Sequence, residues 1–305
     1  MSKLRIYIQL LFWALLPTLM GCSADDSLVL LPNIPEEEPM EIRLYATTLA
    51  QADAVVTRIS NGSFEAEDEL GVYSDNLFEN TLFTLKETYF TSEEKTYFPL
   101  SKEELTLSAY YPYSETITDN MLPVKSSIGS VSDPTWANAT TDPLWAETTI
   151  EKGVRNENEP SDAIYIQMTL KHQMAWMKLY ADEDVKINSI EITFKEKQYG
   201  YMNIATGEII SVQPDAPQSI SWIMASIENG TNTSDGININ GLFLPNEDAI
   251  ASIKIYQNGE QKTIFPNDAI NNIALQSGKV TTIRISKGNN ASTRNNDEIC
   301  LSIEE

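Results

Sequence analysis

Few residue patterns in this sequence are typical of acid–base or nucleophilic catalysis. His172 is the single histidine, so neither a cluster of histidine metal ligands nor a relay of several histidines can form. A serine–histidine–aspartate triad needs only one histidine, but the G-x-S-x-G turn that presents the serine in many hydrolases does not occur. Carboxylates are abundant, yet no two of them stand out as a glycosidase pair. Phosphate-binding glycine loops, zinc spacings and EF-hand loops are also missing from the sequence, which therefore predicts no catalytic residue, metal or cofactor.

Cys22 is the residue most clearly marked for modification. A basic start, an apolar stretch over residues 6–20 and a glycine directly before Cys22 form the order typical of a secretion signal. A membrane span needs roughly 20 apolar residues, and Gln9 and Pro17 interrupt this stretch. The ending resembles the bacterial lipoprotein signal, which predicts that residues 1–21 are removed and that Cys22 is acylated. An ordinary cleavable signal with an incidental cysteine is the alternative.

The predicted lipid would anchor the chain in the outer membrane, because several acyl chains together hold a protein firmly. Residues 23–26 (SADD) resemble the acidic tether of Bacteroidetes lipoproteins that are sent to the cell surface. Three prolines and a run of three glutamates make residues 22–39 an extended, charged linker.

Charge and cysteine content exclude other classes of protein. The formal charge is −23, and −25 without Lys3 and Arg5, so we expect no nucleic-acid partner. With Cys22 acylated, Cys300 is the one remaining thiol, so no internal disulfide can form and packing is its default role. Stability must come from a buried core, which an apolar fraction of 42% permits.

Short segments of alternating polar and apolar residues recur along the chain, as in half-buried strands. No segment long enough for a helix has apolar residues at the i, i+3, i+4, i+7 spacing of an amphipathic helix, so the predicted fold class is all-β. Asn258-Gly259 lies between two apolar runs and favours the turn of a tight hairpin. The predicted strands are residues 41–46, 70–73, 81–87, 95–99, 105–111, 124–131, 144–149, 163–170, 174–179, 189–194, 199–204, 208–212, 219–226, 237–244, 253–255, 262–264 and 279–285.

A polar segment at residues 152–161 (KGVRNENEPS) predicts a domain boundary. Many short strands split by one linker indicate two β-sandwich domains, residues 40–158 and 159–305.

The last predicted strand, residues 298–305 (EICLSIEE), follows an asparagine-rich spacer. Ile299, Leu301 and Ile303 lie on its apolar face. This strand either completes its own domain or pairs with a neighbouring chain. The first option is favoured because terminal strands commonly pair with strands of their own domain.

Seven short motifs occur in order along most of the mature chain: DELGVY (68–73), YFP (97–99), LTLSAYYPY (105–113), DPLWA (142–146), LKHQMA (170–175), LP (244–245) and LQSGK (275–279). In this order they resemble the fimbrillin family of Bacteroidetes, the lipidated subunits of surface pili, and LTLSAYYPY is the most distinctive of them. The resemblance implies two tandem transthyretin-like β-sandwiches, no catalysis and a structural role for His172.

The resemblance also implies assembly by donor-strand exchange at the cell surface. A sandwich that loses a strand exposes an apolar groove and unpaired backbone groups, and a strand of another chain can fill both. In the family an arginine-specific protease removes the first strand, and Thr57-Arg58 occupies the position of the family's T-R. Cleavage after Arg58 is therefore expected, whereas Arg43 should be shielded within strand 41–46. An uncleaved anchor subunit is a variant of this interpretation, and an ordinary loop arginine at Arg58 is the alternative.

The implied donor is the terminal strand 298–305 of another subunit, through Ile299, Leu301 and Ile303. The implied partners are other fimbrial subunits, in a homo- or heteropolymer. The other interpretation is a monomeric surface lipoprotein that binds glycans through exposed aromatic side chains. Tryptophans in β-sandwiches usually lie in the core, which counts against the four candidates, Trp136, Trp145, Trp176 and Trp222.

Overall fold

The computed structural model describes residues 38–49, 63–74, 77–130, 142–153, 162–182, 187–213, 215–223, 237–257, 260–264, 273–287 and 299–304. The regular secondary structure of these residues consists entirely of β-strands, which confirms the all-β prediction. Within the same ranges we find no helix able to cross a membrane. The strands are β1 (Glu41–Thr48), β2 (Glu69–Ser74), β3 (Phe78–Lys86), β4 (Tyr89–Thr91), β5 (Glu104–Tyr111), β6 (Met121–Lys125), β7 (Ser127–Ser130), β8 (Leu144–Glu151), β9 (Ala163–His172), β10 (Ala175–Ala181), β11 (Ser189–Phe194), β12 (Tyr199–Asn203), β13 (Ile209–Ser211), β14 (Gln218–Ile223), β15 (Ile237–Phe243), β16 (Ile250–Gln257), β17 (Glu260–Ile264), β18 (Val280–Lys287) and β19 (Ile299–Glu304).

Seven of these strands close into a barrel in the order β1-β4-β3-β2-β5-β8-β9. Because side chains alternate across each strand, every second residue points into the barrel. The apolar core that results includes Ile42, Leu44, Leu70, Val72, Phe83, Phe90, Leu107, Ile166 and Leu170. Gly71 in β2 lies against the ring of Tyr110, where a Cβ would come within 2.0 Å of a ring carbon. The glycine of the DELGVY motif therefore permits the close approach of β2 and β5.

Strands of the second half of the chain, together with β7, build a β-sandwich. A five-stranded sheet, β19-β18-β10-β15-β7, and a four-stranded sheet, β14-β11-β16-β17, enclose one core. That core consists of alternating aliphatic and aromatic residues from both sheets, among them Met177, Leu179, Ile190, Ile192, Phe194, Phe243, Ile253, Ile255 and Ile283. The predicted hairpin around Asn258-Gly259 is confirmed, because Gln257 of β16 pairs with Glu260 of β17.

A three-stranded sheet, β13-β12-β6, lies against the outside of the barrel. Its inner face joins a third apolar cluster that contains Tyr110, Met174, Trp176 and Met202. The backbone carbonyl of Ile204 accepts hydrogen bonds from Ser108 Oγ and Trp145 Nε1, both at 2.8 Å. Barrel strands β5 and β8 are thereby tied to the turn after β12.

Three details of the predicted strands are wrong. The single strand predicted at residues 124–131 is instead the end of β6 followed by β7, and these two strands lie in different sheets. Residues 95–99 form only one isolated bridge, between Glu41 and Tyr97, instead of a strand. The strand that follows β3 is β4, reached through a tight turn in which Glu87 has φ 56°. No glycine or proline marks that turn in the sequence, so the pattern did not separate β3 from β4.

Several strands on one side of the predicted boundary at residue 158 pair with strands on the other side. β9 comes after it but pairs with β1 and β8 in the barrel. β6 and β7 come before it but pair with β12 and β15. The division into domains 40–158 and 159–305 stays a prediction.

Candidate functional site

The site of interest is β1, the strand that closes the barrel. It pairs in parallel with β9 over eight positions, from Glu41 opposite Ala163 to Thr48 opposite Leu170. On its other side it pairs antiparallel with β4 at Leu44 opposite Phe90. Two further backbone hydrogen bonds, Ile42 N to Thr96 O and Phe98 N to Met40 O, join its start to the loop after β4. We call the space between β9 and β4 that this strand occupies the β1 site.

The inner face of β1 is part of the barrel core. Ile42 and Leu44 are both completely buried. Each contacts the cluster that fills the barrel, and Ala46 packs at its margin. Fully burying one such aliphatic side chain contributes roughly 1.5–3 kcal/mol, so the inner face holds β1 strongly in place.

The outer face of β1 is held by the guanidinium of Arg43. Nη1 donates to the hydroxyl of Tyr165 at 2.6 Å, and Nη2 lies 3.1 Å from a carboxylate oxygen of both Glu41 and Asp162. The guanidinium also lies over the ring of Tyr89, 4.9 Å from its centroid, and 5.5 Å from the centroid of Tyr165. The Arg43 side chain is only 14% exposed. The expectation that Arg43 is shielded from a protease agrees with this environment.

Three tyrosines pack together around this cation. Tyr45 of β1 is stacked on Tyr165 of β9 at a centroid distance of 5.3 Å. Tyr89 of β4 meets both rings edge-on, at 6.4 Å from Tyr45 and 5.7 Å from Tyr165. Aromatic pairs of this kind are each worth about 0.5–1.5 kcal/mol beyond the area they bury. Partners on β9 and on β4 therefore hold β1 from both sides.

Glu41 is the anion of this cluster. It accepts a hydrogen bond from Thr91 Oγ1 at 3.0 Å and lies 3.4 Å from Lys95 Nζ. Burial alone would raise the pKa of Glu41, but hydrogen bonds from Arg43 and Thr91 and the charges of Arg43 and Lys95 outweigh it, so the pKa is lowered. Burial likewise opposes the charge of Arg43, yet its bonds to Glu41 and Tyr165 raise the pKa of the guanidinium above its ordinary value.

The lowered pKa of Glu41 makes the attachment of β1 dependent on pH. A carboxylate whose pKa is lower in the folded chain stabilises the fold above its ordinary pKa of 4.5, and that stabilisation disappears as the pH falls through the lower, folded value. We expect Glu41→Gln to reduce the free energy of unfolding at pH 6, and the difference from the unchanged chain to shrink towards pH 3. Urea unfolding at both pH values measures it. A difference that stays constant with pH would contradict this account, since all other carboxylates are shared by the two proteins.

His172 and Asp142 form a second buried polar pair, at the end of β9 and just before β8. His172 Nδ1 lies 2.6 Å from Asp142 Oδ2, and the two side chains are 9% and 5% exposed. The pair therefore joins the end of β9, from which the chain leaves the barrel and continues into β10, to the segment before β8. This position agrees with the structural role that the family resemblance implies for His172.

We expect Asp142→Ala to lower the free energy of unfolding by roughly 1–3 kcal/mol, because it leaves a buried imidazole nitrogen without its partner. Asp142→Asn keeps a side chain that can still bond the ring, and it should cost less. Denaturant unfolding of both variants measures the effect. Equal stability of the alanine variant and the unchanged chain would show that the pair contributes nothing.

The other predicted site residues are placed only in part. Cys22 and Arg58 lie outside the described residues, so lipidation and cleavage stay predictions. The terminal strand is folded back as β19, antiparallel to β18, at the edge of the five-stranded sheet. Leu301 and Ile303 pack against the sandwich core and are partly buried. Of Ile299 only the backbone is described, paired with Lys287.

Trp145 and Trp176 do not offer exposed rings. Trp176 is 2% exposed and belongs to the cluster beneath the three-stranded sheet. Trp145 is half-buried, and its indole nitrogen donates to Ile204. Trp136 and the side chain of Trp222 lie outside the described part of the chain.

A cleft of about 970 Å³ lies on the outer face of β5 and β8, beside the turn after β12. Its lining includes four glutamates and two lysines, namely Lys102, Glu103, Glu104, Glu147, Glu151 and Lys152. Glu104, Glu147 and Glu151 belong to β5 and β8, and the other three lie in the loops that flank these strands. Across the described residues no group of three or more acidic, histidine or cysteine side chains is placed to hold a metal ion.

The Arg43 cluster was missed at the level of sequence, although a signal for it exists. Residues 298–301 (EICL) repeat residues 41–44 (EIRL) except at one position. The terminal strand thus has the inner residues of β1 but a cysteine where β1 has Arg43. Comparing the first and last strands would have singled out this arginine.

Comparison with known proteins identifies the fold first. The chain is similar to a crystal structure described as a "putative cell adhesion protein" from Bacteroides uniformis, with a TM-score of 0.53 and 18% identity over 87% of this chain and 97% of that one. A second such protein, from Bacteroides ovatus, gives a TM-score of 0.52 and 18% identity over 88% and 97%. This chain therefore shares the fold of these two structures.

The family follows from sequence comparison. The family model described as fimbrillin-like matches residues 57–300. The "Putative fimbrium subunit Fim1C" of Bacteroides uniformis is 31% identical over 140 residues, which is 42% of this chain and 43% of that relative. The match thus spans less than half the length of this relative. The chain belongs to the fimbrillin family of Bacteroidetes, which confirms the resemblance.

Proposed function

We propose that this chain is a lipid-anchored subunit of a surface fimbria and that it is assembled by exchange of β1 for a strand of another subunit. In this proposal, export as a lipoprotein places acylated Cys22 in the outer membrane. An arginine-specific protease then cuts after Arg58. The two lobes of the subunit correspond to the family's tandem transthyretin-like domains, and the polymer carries an adhesive role.

The position of β1 is the observation that supports this function best. β1 closes the barrel between β9 and β4 and has its own completely buried apolar residues, Ile42 and Leu44. Its removal would uncover a groove with the apolar core at its base and unpaired backbone groups of β9 along one wall. A strand with alternating apolar residues satisfies both requirements at once.

The terminal strand fits the donor role in its composition. β19 lies at a sheet edge, is paired on one side only by β18, and packs Leu301 and Ile303 on the sandwich core. An edge strand can leave with fewer broken contacts than a central one. We therefore propose that β19 leaves its own sheet to enter the groove that the first strand of another subunit vacates.

Sequencing the N-terminus of polymerised protein tests the cleavage step. The expected first residue is Ile59, with polymer ladders on a denaturing gel run without boiling. Any other start refutes cleavage after Arg58. Protease-treated protein that stays monomeric with β1 in place refutes strand exchange.

The anchor has a separate test. Cys22→Ser should move the protein out of the outer-membrane fraction, and mass spectrometry should detect acyl groups only on the unchanged N-terminal peptide. If the Cys22→Ser protein stayed in the outer-membrane fraction in unchanged amount, the lipid anchor at Cys22 would be refuted.

Binding of neutral glycans is a second candidate function, favoured by one specific surface. Tyr199 and Tyr201 of β12 are each 43% exposed on the outer face of the three-stranded sheet, next to exposed Ile210 and Val212. Aromatic rings fixed on a sheet can stack on sugars. A glycan-array signal lost in Tyr199→Ala and Tyr201→Ala would support it. An unchanged glycan-array signal in these variants would show that this surface does not bind glycans.

A further inference from the structure

The outer wall of the β1 site presents groups that bind a cation. Asp162 and Tyr165 belong to the β9 side and Tyr89 to β4, and all three contact the guanidinium of Arg43. Glu41, in contrast, lies on β1 itself and would leave with it. When β1 leaves, one carboxylate, one hydroxyl and two aromatic faces remain around the position of Arg43, while Lys95 remains beside the position of Glu41. At the position of Arg43 this arrangement attracts a cationic side chain and disfavours an anionic one.

The terminal strand of this chain does not supply that charge. Its closest alignment with β1 places residues 298–301 (EICL) over residues 41–44 (EIRL), so that Cys300 takes the place of Arg43. Shifting the strand by two or four residues keeps its apolar face inward but brings Glu298, Ser302 or Glu304 to the same place. None of these side chains is a cation, and the glutamates would face Asp162.

We propose that the β1 site selects, as its replacement, a strand from a different subunit that carries an arginine or lysine at the position of Arg43. This inference rests on the strand exchange proposed above and names the partner of the same site. The inner face of the β1 site requires a strand with alternating apolar residues, and many strands meet that requirement. The outer cation distinguishes one donor from another, and the tail of a second copy of this chain lacks it. A homopolymer is therefore disfavoured at this site, and the terminal strand serves a different subunit.

Peptide exchange into the cut full-length chain tests the proposal. A protease site of unrelated specificity is inserted among residues 51–57, so that cutting does not depend on Arg58. Fluorescent peptides are then added, and fluorescence anisotropy gives their dissociation constants. The first peptide is residues 41–48 (EIRLYATT), with Arg43→Gln as the test and Thr47→Gln as the matched control. The second is residues 298–305 (EICLSIEE), with Cys300→Arg as the test and Ser302→Arg as its control.

Loss of the cation should weaken binding at least about tenfold, because a charge-assisted hydrogen bond and a cation–π contact are lost together. Thr47→Gln should leave the dissociation constant within about twofold, since Thr47 is exposed. Cys300→Arg should strengthen the terminal peptide by about tenfold, and Ser302→Arg should not. In a chain with Asp162→Asn and Tyr165→Phe the advantage of arginine over glutamine should shrink, as a double-mutant cycle requires.

The outcomes separate the two proposals. If peptide 41–48 exchanges but arginine and glutamine bind equally, the selection for a cation is wrong and strand exchange stands. If the terminal peptide binds as tightly as peptide 41–48 without Cys300→Arg, selection against the chain's own tail is wrong. If neither peptide ever enters the cut chain, strand exchange fails and this inference fails with it.

Discussion

Replacing Leu44 with aspartate is expected to open the barrel and to lower the free energy of unfolding by at least about 4 kcal/mol. Leu44 is completely buried at the one position where β1 pairs with both β4 and β9. A carboxylate there has no partner in an apolar core, and desolvating an unpaired charge is among the largest penalties a substitution can impose. Urea unfolding followed by tryptophan fluorescence measures the loss, and binding of a hydrophobic dye reports the exposed groove.

Thr47→Asp is the matched control, because it puts the same charge on the exposed face of the same strand. Its effect should stay within about 1 kcal/mol. Under the proposed function, Leu44→Asp should also let a donor strand enter without proteolysis, because the native strand no longer competes. Equal stability of the two variants would show that β1 does not close the core.

The second large effect is expected for Trp176→Ala, at about 3–5 kcal/mol. Trp176 is 2% exposed and is the largest fully buried side chain in the described part of the chain. It lies in β10, in the cluster that connects the three-stranded sheet with the barrel residue Tyr110. Removing the indole leaves a cavity that β-strands on several sides cannot collapse to fill.

Tyr201→Ala is the control for this prediction, since it truncates an aromatic ring that is 43% exposed on the outer face of the three-stranded sheet, whereas Trp176 packs beneath its inner face. It should cost less than about 1 kcal/mol. Denaturant unfolding of both variants decides the matter. A small loss for Trp176→Ala would mean that the cluster beneath the sheet is not a structural core.

Period-2 alternation predicted most strands because one face of each is buried. The Leu105, Leu107, Ala109 face of β5 and the Ile190, Ile192, Phe194 face of β11 are both confirmed as core. Alternation says nothing about which strands are neighbours, however. The parallel pairing of β1 with β9 joins residues more than 100 positions apart, and no local pattern encodes it.

The site was predictable on its inner face only. Ile42 and Leu44 follow from alternation, but the partners of Arg43 come from β9, from the residue just before it and from β4. β4 itself was not predicted, because a three-residue strand after a turn without glycine or proline leaves little pattern. Arg43 could be recognised as sheltered within a strand, whereas the groups that shelter it required the fold.

The parallel ladder between β1 and β9 has a mechanical consequence. When a strand held in this way is pulled along its own axis, its backbone hydrogen bonds share the force, because the whole ladder must slide before any part separates. A hairpin pulled apart at one end instead breaks its bonds one after another. Under the proposed assembly, successive subunits would be joined by a contact loaded in shear, so a single-molecule pulling experiment should record a high rupture force with little extension beforehand.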